Sequence, residues 1–228
     1  MTLRGDDARK LLVVLRARSG DEIDVCDSSG RAFRATLHVE GERARATLQD
    51  ELAAGRPPSL ELVLAQGVPK GAKMDFVIEK ATELGVARVL PYVSERTQGS
   101  SAERAGKLER WRRVARAAAQ QCGRRDVPDI EAPVTWAELC AGFGAVDRAL
   151  VPWELAPGEP LRESLPAILA GARSVLVAIG PEGGLSHAEV ERACAAGAVA
   201  LSLGSRILRT ETAGLVACAA VLYVSGDL

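Results

Sequence analysis

The side chains of this sequence that could take part in chemistry cluster in two glycine-containing segments near its C-terminal end. Residues 179–184 read IGPEGG, and residues 203–213 read LGSRILRTETA. Glycine lets the main chain approach a ligand closely and adopt positive φ. Neither segment has the form G-x-G-x-x-G or G-x-x-x-x-G-K-[S/T], so the sequence does not predict a dinucleotide or nucleoside triphosphate site of those kinds. Two tight turns without a ligand remain the simpler alternative.

Charged side chains stand inside both segments. Arg209 and Glu211 flank Thr210 in an otherwise apolar stretch. In one hypothesis, Glu211 acts as a general base or orients Arg209. Arg209 then stabilises a developing oxygen anion or binds a phosphate. The alternative is an ion pair at a helix start, where acidic side chains are favoured. Glu182 could likewise face a ligand or brace its own loop, and Glu154 is a weaker candidate close by.

The elements that position these loops follow from the pattern after residue 60, where apolar strands alternate with amphipathic helices. Ser186 and Glu189 form a capping box that starts one of these helices. The alternation predicts a parallel sheet covered on both faces, with both loops at the carboxyl ends of adjacent strands. The expected strands are 60–65, 86–93, 149–153, 175–179 and 198–203, and the expected helices are 70–84, 103–122, 161–170, 186–196 and 211–224.

The first 50 residues have a different pattern. Segments 21–27, 31–39 and 44–48 alternate apolar and polar side chains between turns, which predicts a small β-barrel. Residues 52–59 contain Gly55, Pro57 and Pro58 and read as a linker. We therefore expect two domains, residues 1–58 and 59–228.

Composition narrows the class of protein. The net charge is −1, yet residues 96–125 hold nine Lys or Arg against two Glu. Such a region can attract phosphates, although a solvated helix face is an equally good interpretation. The five cysteines are scattered without C-x-x-C, which predicts reduced thiols and neither a zinc site nor a disulfide framework. The sequence shows no signal peptide and no run approaching a membrane span, so we expect a cytoplasmic protein without membrane association.

Several segments together resemble a known family. They are residues 70–86 (KGAKMDFVIEKATELGV), 94–96 (SER), 111–124 (ending AAAQQCGR), IGPEGG with Leu185, Ser186 and Glu189, and SLGSRILRTETA. In this order they resemble the SPOUT methyltransferase superfamily and, within it, the ribosomal RNA small-subunit methyltransferase E family. The resemblance covers nearly all of residues 60–228. It is looser in residues 12–20, and the histidine that the family commonly has before V-L-R is replaced by Ala8-Arg9-Lys10.

The resemblance implies a fold and an activity. The expected fold is α/β: a C-terminal domain with a deep trefoil knot, preceded by a PUA-like β-barrel that binds RNA. The expected protein is a homodimer that acts on 16S rRNA or the small ribosomal subunit. It would transfer a methyl group from S-adenosylmethionine to N3 of one uridine and release S-adenosylhomocysteine. No metal is expected, because the sulfonium already activates the methyl group.

The resemblance, with the chemistry of the two loops, also assigns site residues. Arg209 and Glu211 are the expected catalytic residues, with Arg209 beside the developing uracil oxygen anion. Arg9, Arg16, Arg96 and Arg124 are the expected RNA contacts. The expected cofactor-binding residues are Val177, Ile179, Gly180, Glu182, Gly183, Leu203, Gly204, Ile207, Leu208, Thr212 and Ala213.

Three other functions remain open at this point. A related enzyme could methylate another rRNA or tRNA position, including a ribose 2′-oxygen. A protein of this fold could have lost turnover and serve as an RNA-binding assembly factor, although intact IGPEGG and LRTETA segments argue against that. An enzyme of nucleotide phosphates is disfavoured, because the Lys-Ser/Thr pair and the acidic metal ligands that it needs are missing.

Overall fold

The computed structural model describes residues 1–3, 5–27, 30–41, 43–53, 57–97, 106–156 and 161–228. The chain divides into two compact units, Met1–Pro57 and Pro58–Leu228. Three sequence expectations involve residues outside these ranges: Gly55 of the linker, Arg104 of the basic region, and the first residues of the helix expected at 103–122.

The first unit contains a four-stranded antiparallel sheet in the order β1-β4-β3-β2. Alternate side chains such as Ala35 and Leu37 are fully buried, as is typical of a sheet with one covered face. Among the described strands, β1 and β2 each pair on one side only, so closure into a barrel stays a prediction. The elements are β1 (Thr2–Leu3), helix α1 (Gly5–Arg9), a π-helical turn (Lys10–Val14), β2 (Glu22–Cys26), β3 (Ala32–Glu40) and β4 (Arg43–Glu51).

The second unit is built on a parallel sheet, as expected from its continuous apolar strands. The strand order is β11-β9-β10-β5-β6-β7, with β8 also pairing with β6. The strands are β5 (Glu61–Gly67), β6 (Arg88–Val93), β7 (Asp129–Ile130), β8 (Val134–Thr135), β9 (Arg148–Pro152), β10 (Ser174–Ile179) and β11 (Val199–Leu201).

One expectation about this sheet is wrong. The strands that precede the two glycine loops, β10 and β11, are not neighbours, because β9 lies between them and pairs with both. The connection from β10 therefore crosses over β9 before it enters β11. Since all three strands are parallel, their carboxyl ends still lie along one edge, and the end of β9 is added between the two loops.

Helices cover both faces of the sheet, as predicted. Leu62 and Leu64 of β5 point into a core closed by α2, α3, α5 and α7, whereas Val63 and Ala65 point into a core closed by α4 and α6. The helices are α2 (Lys73–Leu84), α3 (Leu108–Cys122), α4 (Trp136–Ala141), α5 (Leu161–Leu169), α6 (His187–Ala195) and α7 (Thr210–Ser225).

The helix boundaries follow local signals. Ser186 and Glu189 form the predicted capping box of α6. A second capping box, Thr135 with Glu138, starts α4, a helix that the sequence reading missed although its T-x-x-E signal is present. Helix α2 begins at Lys73, later than expected, because Gly71 takes a left-handed φ of 67° just before it. No helix in the described ranges is long and apolar enough to cross a membrane.

Candidate functional site

The candidate site lies at the carboxyl edge of the parallel sheet. The loops that meet there follow β5, β6, β9, β10 and β11, and two of them are the glycine-containing segments. We call residues 180–186 the IGPEGG loop and residues 202–209 the SRIL loop. The two differ in how firmly the rest of the domain holds them.

Close packing and two hydrogen bonds hold the start of the IGPEGG loop. A Cβ on Gly67 would stand 2.6 Å from the main-chain nitrogen of Pro181, so only glycine fits at the end of β5. The buried hydroxyl of Tyr92 donates to the carbonyl of Ile179 at 2.8 Å. The hydroxyl of Thr210, the first residue of α7, donates to the carbonyl of Gly180. The loop is thereby tied to β5, β6 and α7.

A buried glutamine extends this network. Gln66 in β5 is completely buried, and its Nε2 donates to Oγ1 of Thr210 at 2.8 Å and to the carbonyl of Gly67 at 3.2 Å. Its Oε1 has no hydrogen-bond donor within the described ranges and lies 3.0 Å from where a Cβ on Gly214 would stand. Gln66 therefore fixes Thr210, and Thr210 fixes Gly180. Gln66 was not predicted from the sequence, because the expected strand ended at residue 65 and left Gln66 just outside it.

The other end of the IGPEGG loop is held from the β6 side. Nη1 of Arg96 donates to the carbonyl of Gly183 at 2.9 Å, and a Cβ on Gly183 would stand 2.9 Å from Cβ of Arg96. The nearly buried carboxylate of Glu189 accepts the main-chain N–H of Glu95 at 2.8 Å and that of Ser186 at 2.9 Å. The predicted cap of α6 thus also joins the loops after β6 and β10.

Three charged side chains meet beside the loop. Oε1 of Glu182 accepts the main-chain N–H of Lys70 at 3.0 Å and lies 3.2 Å from Nζ of Lys73. The same Nζ lies 3.5 Å from Oε2 of Glu211. Partial burial on its own would raise the pKa of Glu182, but its hydrogen bonds and the Lys73 charge bring that pKa below the ordinary value. Lys73 was not among the expected site residues.

A contact between Glu211 and Arg209, one of the alternatives that the sequence left open, is not formed. Glu211 points to Lys73, and its side chain is 15% exposed. Arg209 is the extended residue before α7, with ψ 151°, and its exposed side chain has no hydrogen bond or ion pair to the described part of the chain. Residues two apart do not share a helix face, and here one of them lies outside the helix. The two side chains therefore meet different surroundings.

The SRIL loop is far less constrained. Its internal contacts are those between the Ser202 hydroxyl and the main chain of Gly204 at 3.2 and 3.3 Å. Ile207 is 86% exposed. Within the ranges that the structure describes, the main chain of residues 205–208 makes no hydrogen bond. Donors, acceptors and an apolar side chain are thus left available at the end of β11.

The remaining expected cofactor residues divide into two groups. Val177 and Ile179 are 0% and 3% exposed and lie in the core beneath the loops, so they support the site rather than offer it a side-chain surface. Leu203 and Ala213 are half-buried at the margin of the same core, Leu208 is half-buried, and Thr212 is exposed.

The end of β9 adds an aromatic residue and an acid. The ring of Trp153 meets that of His187 edge to face at 4.8 Å between centroids. Its buried Nε1 has no acceptor among the described residues. Oε1 of Glu154 lies 3.2 Å from where a Cβ on Gly184 would stand, so this weaker candidate does reach the IGPEGG loop.

A cleft of about 570 Å³ opens next to the loop, lined by Lys70, Glu95, Arg96, Thr97, Glu182 and Gly183. It places the exposed Arg96, one of the expected RNA contacts, beside the IGPEGG loop. In the described ranges, no group of three or more His, Cys, Asp or Glu side chains could hold a metal ion.

The other expected RNA contacts are Arg124 in the second unit and Arg9 and Arg16 in the first. Nη1 of Arg124 donates to the carbonyls of Thr82 and Val86 at 2.8 and 2.9 Å, and Nη2 pairs with Asp126. Because Val86 precedes β6, Arg124 binds main-chain carbonyls at the amino ends of the strands, opposite the loops. An RNA contact of Arg124 stays a prediction. In the first unit, Arg9 ends α1, and Arg16 takes a left-handed φ of 54°; both are exposed.

Comparison with known proteins identifies the family. The sequence model of the RNA methyltransferase domain matches residues 56–222. The ribosomal RNA small subunit methyltransferase E of Bacillus subtilis is 31% identical over 97% of this chain and 89% of its own length. That of Synechocystis is 34% identical over 97% of this chain and 72% of its own length.

Solved structures agree with the sequence comparison. The Neisseria gonorrhoeae ribosomal RNA small subunit methyltransferase E bound to S-adenosylmethionine is 32% identical, with a TM-score of 0.87 over 98% of this chain and 91% of that one. A Legionella pneumophila putative methyltransferase with the same cofactor bound is 29% identical, with a TM-score of 0.87 over the same shares. The chain described here belongs to the ribosomal RNA small subunit methyltransferase E family.

Proposed function

We propose that this protein transfers the methyl group of S-adenosylmethionine to N3 of one uridine in 16S rRNA. The observation that carries the proposal is the junction of the IGPEGG loop with the start of α7, made by Thr210 bonding to Gly180 and by the charged cluster of Lys73, Glu182 and Glu211. The names of the relatives, and the cofactor bound to the Neisseria structure, support the reaction class.

The residues at this edge fit S-adenosylmethionine. A nucleoside needs a mostly apolar slot with a few polar groups. The unbonded main chain of residues 205–208 and the side chains of Leu203, Ile207 and Leu208 provide such a surface. We assign the cofactor to this loop and to Gly180, Glu182, Gly183, Thr212 and Ala213, supported from below by Val177 and Ile179.

The chemistry then falls to two side chains at the start of α7. When bound, the cofactor supplies a methyl group activated by a sulfonium. Uridine N3 carries a proton that must leave, and Glu211 is the proposed acceptor, since its carboxylate shares Lys73 with Glu182 of the IGPEGG loop. Arg209 is exposed and has no hydrogen bond or ion pair to the described residues, and we propose that it stabilises the negative charge on the uracil oxygen.

RNA phosphates are proposed to bind along the cleft and helix α3. Arg96 lies in the cleft beside the IGPEGG loop. On α3, Arg110 pairs with Asp75 and Arg112 with Glu109. Arg113 and Arg116 are exposed, without a partner in the described ranges, and one turn apart on one face. These two suit phosphate contacts better than Arg124 does. Arg9 and Arg16 remain proposed contacts of the first unit.

The proposal includes a homodimer. After its first turn helix α7 is apolar on all sides, and Val216, Tyr223 and Val224 are 39%, 74% and 37% exposed. An unpartnered apolar helix face is typical of an interface. A second copy is therefore proposed to cover α7. A knotted C-terminal segment and a barrel-like first unit complete the proposed architecture.

The test is a methylation assay on small ribosomal subunits from a bacterial strain that lacks its own enzyme of this family. The protein and labelled S-adenosylmethionine should yield one 3-methyluridine in 16S rRNA, identified by mass spectrometry of nuclease fragments. Glu211→Gln should keep cofactor affinity by calorimetry and lose turnover by about 100-fold or more. A ribose 2′-O-methyl product, or label in tRNA alone, would replace the uridine N3 assignment. A protein that binds no cofactor would overturn the proposal altogether.

A further inference from the structure

One ammonium group connects three elements of the site. Lys73 is the first residue of α2, Glu182 belongs to the IGPEGG loop, and Glu211 lies in the first turn of α7. Both carboxylates are within 3.5 Å of Nζ of Lys73. Segments far apart in the sequence therefore meet at a single positive charge.

The surroundings make this charge important. The side chains of Glu182 and Glu211 are 31% and 15% exposed, so water screens their mutual repulsion only in part. Glu182 has a second donor, the main-chain N–H of Lys70. Glu211 differs, because its Oε2 is buried without a hydrogen bond to the described residues. Lys73 is thus the one counter-charge within 4 Å of Glu211 in the described part of the chain.

We infer that Lys73 is a positioning residue for methyl transfer: it keeps Glu182 and Glu211 side by side as carboxylates and so fixes Glu211 at the start of α7. The inference rests on the proposed function, because it gives Glu211 a part in removing the acceptor proton. Lys73 itself touches neither reactant in this assignment. Without its charge, the two carboxylates would repel each other and Glu211 would turn away from Glu182, which would displace the proposed proton acceptor.

Helix α2 contains a matched comparison. Lys80 also joins two carboxylates, with Nζ 2.8 Å from Oε1 of Glu79 and of Glu83. All three lie on the surface of one helix, away from the loops. A general effect of losing a lysine from α2 would therefore appear equally at Lys80, whereas an effect on the site would appear only at Lys73.

The experiment is a double-mutant cycle. Wild type, Lys73→Met, Lys73→Arg, Glu182→Gln, Lys73→Met with Glu182→Gln, and Lys80→Met are compared in melting temperature, calorimetric affinity for S-adenosylmethionine, and kcat at saturating substrates. We expect Lys73→Met to lower kcat by about tenfold or more, Lys73→Arg to retain most of it, and Lys80→Met to leave it unchanged. Adding Glu182→Gln to Lys73→Met should recover kcat several-fold, because the repulsion is then removed.

Two results would overturn the inference. The first is an equal loss of kcat in Lys73→Met and Lys80→Met. The second is a double variant whose loss of kcat equals the losses of Lys73→Met and Glu182→Gln multiplied together, because the two side chains would then act independently. If Lys73→Met lowers the melting temperature strongly, Lys73→Gln replaces it in the same cycle. Failure of the proposed function is seen separately, in the wild type. If wild type methylates another RNA position, kcat of every variant is measured for that product. If wild type methylates no RNA, Glu211 removes no acceptor proton, and both the proposed function and the inference are rejected.

Discussion

The two glycine loops stand at one sheet edge but are built in opposite ways. Buried or nearly buried neighbours hold the IGPEGG loop at Gly180, Pro181 and Ser186 and hold the preceding Ile179, while the exposed Arg96 holds Gly183. The SRIL loop has two bonds to its own Ser202 hydroxyl and an almost fully exposed isoleucine. A rigid loop can hold reacting groups in place, and an open one can close over a ligand. Substitutions in the two should therefore affect stability and binding differently.

The largest expected effect comes from Gly67→Ala. The added Cβ would meet main-chain and ring atoms of Pro181 at 2.6 and 2.8 Å, where no flexible side chain can yield. We expect a loss of about 2–3 kcal/mol of unfolding free energy, together with loss of cofactor binding. Chemical denaturation and calorimetry measure both. Gly144→Ala is the control, because a Cβ there has no neighbour within 4 Å; equal destabilisation by the two would show that the close approach is not what matters.

Thr210→Val should have the next largest effect. It removes the donor to Gly180 and the acceptor for the buried Gln66 while keeping the shape of the side chain. Leaving these groups unsatisfied should cost about 1–3 kcal/mol and weaken cofactor affinity. Thr210→Ser keeps the hydroxyl and should recover most of both. If the serine variant is as impaired as the valine variant, the hydroxyl is not the link between the loop and α7.

Acid should loosen the IGPEGG loop through Glu182. Its pKa is below the ordinary value in the folded protein, so it stabilises the fold above the pKa of the unfolded state, and this stabilisation is lost as pH falls through the folded-state pKa. Glu182→Gln should therefore be less stable than wild type at neutral pH, with a difference that disappears in acid. Melting temperatures across that range provide the measurement, and a difference independent of pH would contradict the assignment.

The smallest effect on stability is expected for Ile207→Ala in the SRIL loop. Because this side chain is 86% exposed, the unfolding free energy should change by less than about 0.5 kcal/mol. Affinity for S-adenosylmethionine should nevertheless fall about fivefold to tenfold, since an apolar wall of the proposed slot is removed. Calorimetry beside thermal melting separates the two quantities. A variant that melts early but binds normally would reverse the comparison between the loops.

Much of the fold could be predicted because its signals are local. The apolar strands, the helix faces and the capping box of Ser186 and Glu189 each specify an element within a few residues. The order of parallel strands is not encoded locally. Strands β10 and β11 follow each other in the chain, and the sequence of neither strand indicates that β9 lies between them in the sheet.

The site was predictable in its loops and less so in its contacts. Glu182 and Glu211 were expected at the site from residue type and motif, and the structure brings them together. Lys73 and Gln66 were missed, because a lysine at a helix start and a glutamine at a strand end are ordinary until long-range packing sets them beside the loops. A contact between Arg209 and Glu211 was one of the alternatives that the sequence left open, and the change from extended chain to helix at Thr210 separates the two side chains.

The bond between Thr210 and Gly180 also sets an order of events during synthesis. Strand β10 and the IGPEGG loop are synthesised before α7, and until α7 exists neither the Gly180 carbonyl nor the Gln66 amide has its hydroxyl partner. Domains fold as units, so the loop reaches its final form only when the later helix docks. A nascent chain halted between the two segments would contain every residue of IGPEGG and still be unable to hold a cofactor.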